Sequence, residues 1–200
     1  MYVYLIVHPV PNNLNQIIKK PAYVIAVDQG LFDAYKQGIH VDLAIGDFDS
    51  LKDKSLLENI QSIHLDPVKD LTDTESALLH AQTLKPEHIY IVGGLGGARF
   101  EHSYANLLLV QANNRVSIIS DNTKIVKYTQ GIYQTTFKGY INVFASVDAV
   151  ISLKGFKFGL NSYKLTKLDR LGISNELILE NGTIEVIKGE VIVMYSKNEQ

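Results

Sequence analysis

Cysteine and tryptophan are both absent from this chain of 200 residues. Without cysteine there is no disulfide, no thiolate nucleophile and no cysteine-held zinc, and a reducing, cytoplasmic setting is expected. Charge of one sign is also missing. With 19 basic residues against 21 acidic ones the formal net charge is −2, so nothing points to a nucleic-acid-binding polycation or a charged tail. No apolar run reaches the roughly 18–20 residues that span a bilayer. Residues 1–7 lack a basic start and a small-residue cleavage site, and read as a buried strand rather than a signal peptide. A soluble protein with no membrane partner is expected. Five of the six histidines are scattered and show no metal-ligand spacing, and no Ser-His-Asp arrangement can be assembled. What remains is a chain that is 46% hydrophobic, enough for a sizeable core in one large domain or two small ones.

The pattern along the chain changes once. Up to about residue 122, short apolar runs alternate with helical segments. Strands are expected at 2–8, 22–27, 41–45, 62–65, 88–92 and 116–120. Helices are expected at 31–37, 50–59, 72–84 and 101–113. Such alternation implies crossover connections and a mostly parallel sheet. Beyond Asp121-Asn122 no helix is expected. Short strands follow between Gly and Asn turns, at 124–129, 132–137, 140–146, 150–153 and 162–166, and even spacing of this kind suggests a small β-sandwich. The sharpest hairpin signal is Asn181-Gly182, between strands at 176–179 and 183–187; a further strand at 191–195 follows Gly189. The expected division is an α/β domain at 1–122 and an all-β domain at 123–200.

Four clusters fall at the carboxyl ends of the expected parallel strands, the edge where open α/β sheets bind ligands. Gly46-Asp47-Phe48-Asp49-Ser50 places two carboxylates two residues apart. On an extended chain they share a face and can share a metal or its waters; equally, Asp49 or Ser50 can cap the next helix. Lys69-Asp70-Leu71-Thr72-Asp73-Thr74-Glu75 sets Asp70 and Asp73 one helical turn apart, although Thr72 and Glu75 also have capping-box spacing. Gly93-Gly94-Leu95-Gly96-Gly97, followed by Arg99, Glu101 and His102, joins a strand to a helix start. Loop amides and a guanidinium can hold phosphate there. It is not a P-loop, since no Gly-Lys-Ser/Thr follows, and Arg99 stands where a dinucleotide fingerprint needs its third glycine. The fourth cluster is Asp28-Gln29-Gly30.

In this order the clusters resemble the motifs of the thiamine pyrophosphokinase family: Asp-Gly-Gly, Gly-Asp-x-Asp-Ser, Lys-Asp-x-Thr-Asp, Gly-Gly-Arg-x-Asp-His and a late Ser-Asn, matched here by Ser174-Asn175. Ala105-Asn106 matches the small-Asn pair after the arginine motif. Three positions depart from the pattern. Gln29 and Ala98 replace glycines, and Glu101 replaces an aspartate.

The resemblance implies a Rossmann-like nucleotide-binding domain, a C-terminal β-sandwich and a homodimer with thiamine between subunits. It implies transfer of a pyrophosphoryl group from ATP to the hydroxyl of thiamine, giving thiamine diphosphate and AMP. Mg2+ prefers carboxylate oxygens and bridges them to phosphates; Asp47, Asp49 and Asp73 are the expected ligands, with Asp28 beside them. Arg99 and the loop residues Gly94, Gly96 and Gly97 are expected on the triphosphate, with Thr72 and His102 adding hydrogen bonds. Asp70 is the candidate for taking the acceptor proton. Ser174 and Asn175 would read the thiamine pyrimidine. Three alternatives remain at this point: a pyrophosphokinase for another acceptor such as a hydroxymethylpterin, a non-catalytic thiamine or nucleotide sensor, and a metal-dependent phosphohydrolase.

Overall fold

The computed structural model describes residues 1–198. It is a mixed α/β protein in which strands dominate, and its chain forms two compact units. One comprises Met1–Leu109 with Arg115–Asp121, the other Val110–Asn114 with the chain from Asn122 onward. Among the described residues no helix is long and apolar enough to cross a membrane.

The first unit is built on a parallel sheet. β1 (Tyr2–Val7) lies between β2 (Ala22–Val27) and β5 (His88–Gly93). Beyond β2 come β3 (Leu43–Gly46) and β4 (Ser62–His64), and beyond β5 comes β6 (Val116–Ile119). The chain therefore works outward from β1 to β4, then returns to the other side of β1. The strand order reverses between β1 and β5, where Val7 is in register with Gly93, and such a reversal opens a crevice at the carboxyl ends.

The helices cover the sheet. α1 (Leu14–Ile17) is a single turn that the sequence pattern does not announce. α2 (Gly30–Lys36) packs on β1 and β2, and its Leu31 and Ala34 join Tyr4, Ile6, Val24, Ala26, Phe48 and Val92 in one core. α3 (Asp73–Thr83) lies over β1, β2 and β3 and buries Thr74, Ala77, Leu78 and Ala81. Burial on both faces explains why these strands read as continuous apolar runs rather than alternating ones. α4 (Phe100–Ala112) follows β5.

One expected helix is altered. Residues 50–59 do not form an α-helix started by Ser50; a 3-10 helix runs from Lys54 to Asn59. Its cap is Asp53, whose Oδ1 accepts from the Ser55 amide at 3.1 Å. Phe48 and Leu51 are buried, which holds the preceding residues against the core and delays the helix.

The second unit is antiparallel. β7 (Thr123–Tyr128), β8 (Gly131–Thr135), β9 (Tyr140–Lys154), β10 (Leu160–Leu165) and β11 (Gly182–Ser196) form it. β9 and β11 are each one long strand where two short ones were expected. They pair along most of their length, with register shifts around Lys188 and Glu190. Gly189 sits there at φ +82°, and a Cβ on it would meet the Asp148 carbonyl oxygen at 2.4 Å. β7 pairs with one end of β11 and β8 with the other. Ile141, Val143, Ile151, Leu153, Ile184, Val186, Val191 and Val193 supply the core. The expected Asn181-Gly182 hairpin does not form. Residues 176–179 are held instead by a single bridge, Phe156 to Leu177. Gly182 packs so closely on the Leu177 and Phe156 side chains that a Cβ would stand 2.3 Å and 2.9 Å from them.

Two glycines of the first unit give a stability test. Gly30 opens α2 against β1, where a Cβ would meet the Ile6 carbonyl oxygen at 2.1 Å. Gly38 follows α2 at φ +66° with open space around it. Gly30→Ala is expected to lower the unfolding free energy by about 2–3 kcal/mol through steric displacement, and Gly38→Ala by about 1 kcal/mol through left-handed backbone strain alone. Urea denaturation measures both; equal losses would contradict the packing of α2 on β1.

Candidate active site

The site is assembled where β2 and β3 end and α3 begins. Asp28 follows β2 at φ +46°. Its Oδ1 accepts from the Phe48 amide at 3.1 Å, joining the β2 turn to the residues after β3. Gly46 makes that approach possible, because a Cβ there would overlap Asp28 Oδ1 at 1.9 Å. The residues after β3 are not extended. Phe48 has φ +58° with its ring buried, and Asp47 Oδ1 accepts from the Asp49 amide at 3.0 Å. This turn removes the premise that Asp47 and Asp49 share a face of an extended chain. Asp49 is exposed, whereas Asp47 is half-buried.

Asp73 is the first residue of α3. Thr72 caps the helix, its Oγ1 accepting from the Glu75 amide at 3.1 Å, so the capping role foreseen for Thr72 is the one its hydroxyl performs. Asp73 faces Lys69, whose Nζ lies 2.8 Å from Oδ1. That oxygen is buried and receives no directed hydrogen bond; its partner is an ion pair.

Asp28, Asp47, Asp73 and Lys69 form one electrostatic group. The Asp28 carboxyl is pushed up to about 7. Burial is the main cause. A hydrogen bond to the Asp73 carboxylate and the charges of Asp73 and Asp47 add to it, against the Phe48 amide. Lys69 is pushed upward, first by its bond to Asp73 and also by the charges of Asp47 and Asp28. Sequence reasoning named Lys69 only as part of a motif. Its role becomes visible only once the turn after β4 brings it back over the aspartates.

Among the described residues no three His, Asp or Glu side chains stand so as to hold a metal ion together. Asp47, Asp49 and Asp73 are therefore not gathered as a ready trio; Asp28, rather than Asp49, stands with Asp47 and Asp73. The donor chemistry nonetheless fits Mg2+. The groups are hard carboxylate oxygens that repel one another, and Asp73 Oδ1 is buried without a directed donor.

The glycine-rich loop follows β5 at the crevice. Gly93, Gly94, Gly96 and Gly97 all have positive φ. Loop amides free to meet phosphate are expected from sequence, but two of them are already engaged. The Gly94 amide donates to the Val7 and Pro9 carbonyl oxygens, and the Gly96 amide to Ser103 Oγ at 2.9 Å. Arg99, Glu101 and His102 are exposed. Arg99 Nε donates to Glu101 Oε1 at 2.9 Å, so the carboxylate that departs from the family pattern holds the guanidinium. A backbone hydrogen bond first, and Arg99 second, lower the Glu101 carboxyl. Asp70 is exposed.

Ser174 and Asn175 lie in the second unit. Ser174 is exposed at φ +56°, its amide donating to Asn142 Oδ1 at 2.7 Å. Asn175 differs from expectation. It is buried, its Oδ1 accepts from the Phe158 and Glu176 amides, and its Nδ2 donates to the Phe158 carbonyl. Its amide is spent on the loop itself rather than offered to a ligand.

Comparison with known proteins decides the family. The model of the thiamin pyrophosphokinase catalytic domain matches residues 14–120. The chain belongs to the thiamine pyrophosphokinase family. The thiamine pyrophosphokinase of Bacillus subtilis is 32% identical over 185 residues, covering 86% of each chain. A crystal structure of thiamine pyrophosphokinase from Bacillus subtilis superposes with a TM-score of 0.88 at 26% identity, over the whole of both chains. A thiamin pyrophosphokinase family protein from Enterococcus faecalis gives 0.84 at 25% identity, over 99% of each.

The raised Asp28 carboxyl makes stability depend on pH. Its folded value, about 7, lies above the ordinary aspartate value near 3.9. The folded protein therefore favours the protonated form. That contribution is complete below about pH 4 and is lost as pH rises through about 7. Without divalent cations, the urea midpoint is expected to fall between pH 5 and 8, and Asp28→Asn to flatten this slope. An unchanged slope in the variant would remove Asp28 as its source.

Proposed function

We infer that the chain is a thiamine pyrophosphokinase in activity, transferring a pyrophosphoryl group from ATP to the hydroxyl of thiamine and releasing thiamine diphosphate and AMP. The observation that carries this reading is the joining of Asp28, Asp47, Asp73 and Lys69 at the strand ends of a chain in this family. The thiamine pyrophosphokinases named above give the hydroxymethylpterin and sensor readings no support.

The first unit is the nucleotide-binding catalytic domain, Rossmann-like in its strand order. The second, whose main segment begins at Asn122, is a β-sandwich for thiamine binding and dimerisation. Asp47, Asp73 and Asp28 would hold Mg2+, with Asp49 exposed beside Asp47; the ion would screen the phosphate charge and steady the polyphosphate. The other steps belong to the chain. Lys69 offsets the repulsion among the aspartates. Arg99, on leaving Glu101, grips phosphate oxygens in a geometry that suits a guanidinium fork. The glycine loop, with Gly97 and His102, lies along the triphosphate. The thiamine hydroxyl oxygen attacks the β-phosphorus, the bond to the AMP oxygen breaks, and Asp70 takes the hydroxyl proton. Such transfers depend on positioning and charge stabilisation. Ser174 contacts thiamine, and Asn175 shapes the loop that presents it. Two copies form the working enzyme, in the cytoplasm.

Incubation with ATP, Mg2+ and thiamine should give thiamine diphosphate and AMP; ADP, or phosphate alone, would overturn the reading. Asp47→Asn and Asp73→Asn should each lower kcat by about 100-fold or more, on the scale of losing one charge-stabilising group, with the circular dichroism spectrum unchanged. Arg99→Ala should lower kcat more than it raises KM for thiamine. A change confined to the thiamine KM would instead place Arg99 in the acceptor pocket.

A further inference from the structure

The glycine loop is fastened from behind by two side chains of α4: Ser103, which belongs to none of the motifs, and Asn106, whose motif match carries no assigned role. Asn106 Nδ2 donates to the Gly94 carbonyl oxygen at 2.8 Å. Ser103 Oγ accepts from the Gly96 amide at 2.9 Å and faces the Gly96 carbonyl oxygen at 3.4 Å. Both residues are buried, at 3% and 8% exposure, so neither is a surface polar group meeting the loop by chance. Three residues apart, they share one face of the helix. The orientation of Asn106 is fixed by chemistry, since only its NH2 can donate to a carbonyl. Gly94 is matched to it: a Cβ there would stand 2.6 Å from Asn106 Nδ2. The Gly94 amide is tied in turn to the Val7 and Pro9 carbonyl oxygens at the end of β1. Two points of the loop, either side of Leu95, are thus fixed to the sheet and to α4. Gly97 to Phe100 are exposed beyond them.

A loop of two glycine pairs about Leu95 has much conformational freedom to lose. Unfastened, it would pay that entropy each time a polyphosphate bound. We propose that Ser103 and Asn106 are positioning residues for the pyrophosphoryl transfer. They hold the loop at Gly94 and Gly96 so that the segment carrying Arg99 meets the nucleotide in one conformation. This rests on the nucleotide-site reading above.

The test uses the full chain, after the wild type has been shown to form thiamine diphosphate and AMP; failure at that first step would count against the functional reading, not against the fastening. Ser103→Ala, Asn106→Ala and the isosteric Asn106→Asp, which cannot donate, should each lower kcat/KM for ATP about 10- to 100-fold, the scale of a small misplacement of a reacting group. KM for thiamine should stay within about twofold on the same argument. Ser103→Thr keeps the hydroxyl and should restore most of the lost kcat/KM. Hydrogen exchange supplies a readout that needs no turnover. Amides of residues 93–100 should exchange faster in Ser103→Ala than in the wild type without nucleotide, while exchange in β1 and β2 is unchanged. If the Ala variants keep kcat/KM for ATP within about twofold, the proposal fails. It also fails if ATP and thiamine parameters decline in parallel with exchange rising throughout the first unit, which is the signature of a purely structural role.

Discussion

The carboxylates of Asp28, Asp47 and Asp73 are brought into mutual range, and most of the first unit's local structure serves or offsets that crowding. Like charges so placed must lose a charge, gain a counterion or move apart. The chain uses the first two. Asp28 is held partly protonated and hydrogen-bonded to Asp73, and Lys69 stands against Asp73. The arrangement is costly for a protein that needs only to fold, because replacing any one of the acids would relieve it. It is reasonable for a protein that must receive a cationic centre together with a polyphosphate, since the same repulsion then favours the incoming charge.

Close backbone approach is what permits the crowding. Gly46 lets Asp28 lie over the end of β3, and Gly30 lets α2 start directly against Ile6 of β1. Asp28 then reaches the Phe48 amide, while Gln29 Oε1 accepts from the Lys52 amide at 3.1 Å. Two adjacent residues after β2 thereby fix both ends of the turn after β3. Gln29, which takes the place of a family glycine, is buried and contributes to this restraint. The departure is not an inert change of residue.

Apart from α1 and the 3-10 helix at Lys54–Asn59, the alternation of strands and helices up to β6 could be read from the chain because those elements satisfy their own period, cap and length. Thr72 is an example, since its cap depends only on residues three apart. Properties set by distant contacts could not be read. Phe48 is turned into the left-handed region because its ring is buried in the core while its amide serves Asp28, and no local signal marks that. Asn181-Gly182 is a strong turn sequence, but Leu177 and Phe156 pack against Gly182 and hold the preceding segment away from a hairpin. The length of β9 and β11 comes from their pairing with each other, which short-range patterns do not register. The acid cluster was legible by its position at strand ends, yet its membership was not. Asp28 was expected beside it and is found there, whereas the part played by Lys69 and the exposure of Asp49 follow from the backbone path.

Capping and chemistry are often treated as competing explanations for a polar residue near a helix start, and α3 shows how they divide. The Thr72 hydroxyl oxygen takes a free amide of the first turn. Asp73, one residue later, is then not needed as a cap. Its carboxylate still benefits from the positive end of the helix, but one oxygen remains buried and faces Lys69. Had Thr72 been a non-capping residue, Asp73 would have been drawn to the vacant amides and away from Asp28. The cap therefore does more than stabilise the helix. By satisfying the amide itself, it leaves the neighbouring carboxylate directed toward the other acids, and this separation of tasks between adjacent residues keeps the cluster together.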